Sequence, residues 1–122
     1  MKNLANFKTQ IRTREYLIQA IYQYFFNNQE ISDIVNQFKD EHKNKKVDFD
    51  TFSLSLESIK NNESEFKEIL DSMNVKDSNM DLIDKSILYF LFQENPGGTI
   101  QLMSGPTSSL LKIIDLFNEF IA

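Results

Sequence analysis

Apolar residues recur at helical spacing along most of the chain. A first run spans 11–26 and a second spans 31–38, and the asparagine pair at 27–28 separates them. In both runs apolar residues return every three or four positions, the period of a helix with one buried face. We therefore predict two amphipathic helices, whose apolar positions are Ile11, Leu17, Ile18, Ala20, Ile21, Tyr24 and Phe25, then Ile31, Ile34, Val35 and Phe38.

The middle of the chain is predicted to hold two further helices. Asp48 is a suitable N-cap for a third helix that carries Phe52 and Leu56, although apolar residues at 52–56 also alternate as in a strand. The pair Asn61-Asn62 predicts a break. Asn62 with Glu65 resembles the capping box of a fourth helix.

The last part of the sequence predicts two more helices. Ser78 with Asp81 repeats the capping pattern before a fifth helix, which is apolar around most of its circumference over 83–92 and is therefore expected at the centre of a bundle. The run at 95–98, Asn-Pro-Gly-Gly, ends it, and an irregular segment is predicted as far as 106. A sixth helix is predicted from Thr107. The predicted fold class is all-α: one domain over 1–122, a compact bundle of about six helices.

Composition and charge narrow the classes of function. The chain has 122 residues, a net charge of −5 and no cysteine, which excludes disulfides and thiolate metal sites. Residues 1–29 hold four basic residues and one acid, whereas 47–94 hold eleven acids and four lysines. No apolar run reaches the roughly 18–20 residues of a membrane span. We therefore expect a cytoplasmic protein, without membrane association, that can meet an anion at its basic start and a cationic partner at its acidic middle.

Catalytic chemistry is not indicated. His42 is the single histidine, and its place in a polar, lysine-rich loop favours a solvated side chain. Phosphate-binding and metalloprotease motifs are missing, and the paired carboxylates lie where helices begin, where they stabilise the helix dipole. We predict no enzyme activity, no cofactor and no metal.

Basic residues lie near the start of the first predicted helix. Lys8, Arg12 and Arg14 there would oppose the helix dipole, so an RNA phosphate is a natural partner for them. Tyr22, two turns after Arg14, could stack on an unpaired base or could be a half-buried core aromatic.

Two segments resemble the NusB family of bacterial transcription antitermination factors. The run 12–22, R-T-R-E-Y-L-I-Q-A-I-Y, is similar to the opening of that family, and 83–88, I-D-K-S-I-L, is similar to its central fifth helix. The run 112–119 resembles the family's last motif more weakly. The sequence departs from the family where Gln10 and Ile11 replace arginines, where Tyr89 replaces an arginine and where Ile113 replaces a phenylalanine that contacts RNA.

The resemblance implies an all-helical adaptor with two partners. Members bind a NusE-type small-subunit ribosomal protein, and the pair binds boxA-type single-stranded RNA to support antitermination by the RNA polymerase complex on ribosomal RNA operons. Carried over by position, the RNA-binding residues are Lys8, Arg12, Arg14, Tyr22 and Lys112. The candidates for the NusE-type partner are Asp84 and Glu94.

Two other hypotheses stay open. The chain could be a NusB-fold protein-interaction module, such as a homodimer, that has lost RNA binding. Convergence of Arg12, Arg14 and Lys112 on one face would favour RNA, and scatter would favour the interaction module. An RNA-modifying enzyme with a NusB-like domain is the third class, but 122 residues are too few to hold a catalytic domain as well.

Overall fold

A computed structural model describes residues 4–73 and 80–104. Over these ranges the backbone forms no strand and five helices: α1 (Leu4–Asn27), α2 (Ile31–Glu41), α3 (Phe49–Ser72), α4 (Leu82–Glu94) and α5 (Pro96–Ser104). The prediction of an all-α fold is confirmed. The helix predicted from Thr107 lies outside the described residues. Among those described, no helix combines the length and the apolar character that crossing a membrane requires.

The described residues belong to two compact units, which divide between Glu57 and Ser58. The boundary falls inside α3, so this helix contributes residues to both units. We describe each unit by itself, and the assignment of 1–122 to one domain stays a prediction.

The core of the first unit combines α1 and α2. All four predicted inward positions of α2 are buried, whereas the buried apolar face of α1 is narrower than predicted and centres on Leu17, Ala20 and Ile21. The asparagine pair ends α1 as predicted. Asn28 has φ 52°, a left-handed conformation that asparagine tolerates, and its N–H donates to the carbonyl of Tyr24 at 2.9 Å.

Helix α3 runs without interruption through Asn61-Asn62, so the predicted break is wrong. Instead of capping a new helix, the amide nitrogen of Asn62 donates to the carbonyl of Ser58 at 2.9 Å. Leu54 is 69% exposed, which excludes the strand pattern. The helix stays continuous because one buried stripe keeps its helical register past the asparagines; its members are Phe52, Leu56, Ile59, Phe66 and Leu70.

Aromatic rings form the core of the second unit. Phe66 of α3 stacks on Phe92 of α4 at 5.0 Å between ring centroids and meets Tyr89 edge-on at 5.8 Å. Six of the thirteen residues of α4 are buried, all of them between Ser86 and Phe92, whereas Ile83 is 60% exposed, so the helix is less enclosed than its apolar circumference predicted. Its N-cap is Asp81, whose Oδ1 accepts the N–H of Asp84 at 2.8 Å. The predicted cap at Ser78 was therefore placed one turn too early, and Ser78 itself lies outside the described residues.

Helix α5 replaces the irregular segment that the sequence predicted after residue 95. Asn95 ends α4 with its N–H on the carbonyl of Leu91 at 2.8 Å, and its Oδ1 caps α5 by accepting the N–H of Gly98 at 3.1 Å. Pro96 is the first residue of α5, where no backbone N–H is needed. Buried Thr99 anchors the turn, since its hydroxyl lies 2.7 Å from the carbonyl of Asn95. The Pro-Gly-Gly run therefore stops one helix and starts the next.

Candidate nucleic-acid interface

The basic residues of α1 do not lie in its first turn. The helix begins at Leu4, seven residues before the predicted start, so Lys8 lies in the second turn and Arg12 and Arg14 lie in the third. The helix dipole acts mainly within the first turn. The expectation that these cations oppose the dipole is therefore wrong, and their role has to be found in their surroundings.

Arg12 and its neighbour Thr13 attach α1 to the loop between α2 and α3. The Arg12 guanidinium donates to the backbone carbonyl of Lys46 at 3.1 Å. The hydroxyl of buried Thr13 accepts the backbone N–H of Asp48 at 2.9 Å and donates to the carbonyl of Thr9 at 2.7 Å. These bonds hold the loop against the middle of α1.

Asp48 fixes the other end of this loop as the N-cap of α3, as predicted. Its carboxylate accepts the backbone N–H of Thr51 at 3.0 Å and the hydroxyl of Thr51 at 2.7 Å. The bonds from Thr51 lower the pKa of Asp48 despite some burial. Because the folded-state pKa is depressed, ionised Asp48 stabilises the fold above its unfolded pKa, and this contribution is lost as the pH falls through the folded-state pKa.

Three lysines of the anchored loop form a basic patch with Arg12. The side chains of Lys43, Lys45 and Lys46 are exposed, and Lys43 lies 3.3 Å from the carboxylate of Asp40. Lys45 and Lys46 make no ion pair with the residues that the structure describes. We call Arg12, Lys43, Lys45 and Lys46 the basic patch. The lysines of this patch were not among the predicted site residues, because residues 30–46 hold four acids and four lysines and therefore show no net charge, although three of the lysines lie at the end of that segment.

His42 is not the solvated loop residue that the sequence suggested. It is the C-cap that follows α2, is half-buried, and stacks on Tyr16 of α1 with 4.1 Å between ring centroids and 22° between ring planes. Phe38 lies tilted beside it at 5.7 Å. The histidine therefore joins the same loop to α1 through its ring.

Tyr22 lies on the exposed side of α1. Its ring is 37% exposed and stacks one turn away on Phe26, which is 64% exposed, with 5.9 Å between centroids and 9° between planes. Both rings are open to solvent, so Tyr22 is not a core aromatic. Phe26 was not among the predicted site residues, because it is the last residue of the apolar run 11–26 and the pattern did not indicate that its ring is exposed.

The structure brings only some of the predicted RNA-binding residues together. Lys8 and Arg12 are four residues apart and therefore lie on one face of α1, whereas Tyr22 lies about 21 Å from Lys8 along the helix axis. Arg12 and Arg14 point about 160° apart, on opposite flanks of the helix. Arg12 therefore belongs with the loop lysines, and Arg14 does not. Lys112 lies outside the described residues. Because Arg12 and Arg14 already point apart, these three residues do not all converge on one face, and this outcome counts toward the interaction module.

The two candidates for protein binding occupy opposite ends of α4. Asp84 lies half-buried in the first turn, where burial and then the carboxylate of Asp81 raise the pKa of Asp84. Glu94 is the exposed last residue of the helix. Ten residues of helix separate them by about 15 Å. A partner that contacts both carboxylates must therefore extend along the length of α4.

Comparison with known proteins does not assign this chain to a family. The chain matches no protein-family model, no curated protein and no solved structure.

Proposed function

We propose that this chain is a divergent NusB-type adaptor of the cytoplasm, a six-helix protein that binds boxA-type single-stranded RNA together with a NusE-type ribosomal protein. In this role it supports antitermination by RNA polymerase without catalysing a reaction. The resemblance at 12–22 and 83–88 supports the proposal, because the NusB family is all-helical and both segments lie on helices here, α1 and α4, each of which has buried residues.

The attachment of the lysine-rich loop to α1 is the observation that carries the proposal. Arg12 holds the carbonyl of Lys46, so three loop lysines extend the two cations, Lys8 and Arg12, that lie four residues apart on one face of α1. Lysine and arginine neutralise phosphates, which supplies most of the affinity for RNA. Tyr22 and Phe26 offer exposed rings, on which unpaired bases stack.

A titration of boxA-like single-stranded RNA tests this function. The parent protein is expected to bind with an affinity that falls as salt rises and increases when the NusE-type protein is added. The variant Lys45→Ala/Lys46→Ala should bind more weakly, and the slope of log affinity against log salt should flatten by about 1.4, since each lost phosphate contact is worth about 0.7 for a single strand. The backbone carbonyl that Arg12 binds is kept in this variant.

The matched control removes two exposed lysines from α3. Lys60→Ala/Lys67→Ala makes the same change in net charge outside the basic patch. An equal loss in both variants would show that net charge alone attracts RNA. Failure of the parent to bind RNA, alone or with the ribosomal protein, would contradict the proposed function.

The acidic residues of α4 are proposed to face the ribosomal partner. Reversing Asp84 and Glu94 together to lysine should weaken binding of a basic NusE-type protein by about tenfold, equivalent to about 1.4 kcal/mol, because opposite charges across an interface would become like charges. RNA binding by the chain alone should not weaken. Calorimetric titration with the partner measures this, and Glu68→Lys/Asp71→Lys on exposed positions of α3 is the charge-matched control. Unchanged partner binding would remove Asp84 and Glu94 from the interface.

The interaction module without RNA binding is the second candidate. Large apolar side chains are exposed in the described part of the chain, among them Phe7, Phe26, Leu54 and Ile83. Single exposed apolar residues are common on proteins, but the stacked rings of Tyr22 and Phe26 form exposed aromatic surface that suits contact with another protein or a second copy of this chain. A protein complex that forms in the same titration without any RNA binding would favour this candidate.

A further inference from the structure

The ring of His42 is fixed in place by its surroundings. Tyr16 lies parallel to it at 4.1 Å, and Phe38 lies against it at 5.7 Å. The backbone is held as well, because the N–H of His42 donates to the carbonyl of Phe38 and its own carbonyl accepts the N–H of Lys45, each at 3.0 Å. A ring held in this way loses little conformational freedom when a ligand stacks on it.

The ring also lies among positive charges. His42 is preceded by Lys39, Asp40 and Glu41 and followed by Lys43, Lys45 and Lys46. Asp40 lies 3.3 Å from Lys43, and Glu41 accepts the side-chain amide of Gln37 at 3.0 Å. Lys43 and Asp40 offset each other and Glu41 keeps its charge, so Lys39, Lys45 and Lys46 outnumber the one remaining acid and the net charge at this end of α2 is positive. His42 is half-buried, and Tyr16 covers one face of its ring.

A flat ring on a loop that is rich in lysine fits a ligand that is flat and anionic along its length. Single-stranded RNA combines both properties, because each unpaired base has a stacking face and each linkage has a phosphate. We propose that His42 is a base-stacking residue: one unpaired base stacks on its exposed side while the neighbouring phosphates meet Lys43, Lys45 and Lys46. This inference rests on the proposed function and adds a stacking position that is separate from Tyr22 and Phe26.

The test compares two substitutions at residue 42 in the full chain, with boxA-like single-stranded RNA as the probe. His42→Ala should weaken binding by about tenfold, within the range measured for loss of one stacked base. The slope of log affinity against log salt should stay unchanged, because no phosphate contact is removed. His42→Phe keeps a ring and should bind within about threefold of the parent. Thermal unfolding of both variants shows whether the loop remains folded.

A scan with single abasic nucleotides identifies the base that stacks. One abasic position should weaken binding to the parent as much as His42→Ala does, and the same position should have no further effect on the alanine variant. If the parent binds RNA and His42→Ala binds equally well, the stacking role is wrong and the proposed function stands. Equal weakening by alanine and phenylalanine would also overturn it, since a ring would then not suffice. If the parent binds no RNA, both proposals fail.

Discussion

Replacement of Phe52 by alanine is expected to lower the free energy of unfolding by about 3–5 kcal/mol. The side chain is fully buried, with Phe38 of α2 at 5.2 Å and Phe49 of the same helix edge-on at 5.6 Å. Alanine would remove these ring contacts and leave a cavity that the surrounding helices can fill only in part. Chemical denaturation, with far-ultraviolet circular dichroism as the signal, measures the change.

Leu54 is the control for this prediction. It lies on α3 only two residues from Phe52, but on the exposed side. Leu54→Ala should change the free energy of unfolding by less than about 0.5 kcal/mol, as surface substitutions usually do. Similar losses for both substitutions would mean that the two side chains share one degree of burial, which contradicts the helical assignment of this segment.

Glu63→Pro is expected to cost at least about 3 kcal/mol, because proline in a helix interior removes a backbone hydrogen bond and clashes with the preceding turn. The sequence pattern predicted the opposite outcome. With Asn62 as the cap of a new helix, residue 63 would be its first position, where proline is well tolerated. In the structure Glu63 instead lies in the middle of the continuous helix α3.

Glu63→Ala separates the backbone effect from the side chain. It removes the carboxylate but keeps the backbone N–H, so its effect should be much smaller than that of proline. Circular dichroism of the proline variant should also show a loss of helical signal. Retention of full stability by the proline variant would restore the break that the sequence predicted.

The sequence predicted helices well where one apolar stripe decided the structure. In α2 all four expected inward residues are buried, because Ile31, Ile34, Val35 and Phe38 leave only one possible face. The errors came from residues that can act in two ways. Asn62 can cap a helix or bond within one, and Pro96 can end a helix or begin one. The contacts that form in the fold decide which role each residue takes: Asn62 donates to the carbonyl of Ser58 within α3, and the Asn95 side chain caps the helix that Pro96 begins.

The candidate site was predicted less well, because its parts are far apart in sequence. Arg12 could be proposed from its charge and its place in a familiar motif. Its bond to Lys46 spans 34 residues, and no local pattern indicates it. His42 illustrates the same limit, since the ring that supports it belongs to another helix.

Because Arg12 donates to a backbone carbonyl, the position of the loop does not depend on the charge of the loop's side chains. Every residue type carries that carbonyl, so residue 46 can change without loss of the anchor, and the N–H that residue 48 donates to Thr13 is likewise a backbone group, which every residue type except proline has. Related chains could exchange the lysines for acidic or neutral residues and keep the loop in place. A new ligand preference could then evolve through surface substitutions alone, on a scaffold that does not have to be rebuilt.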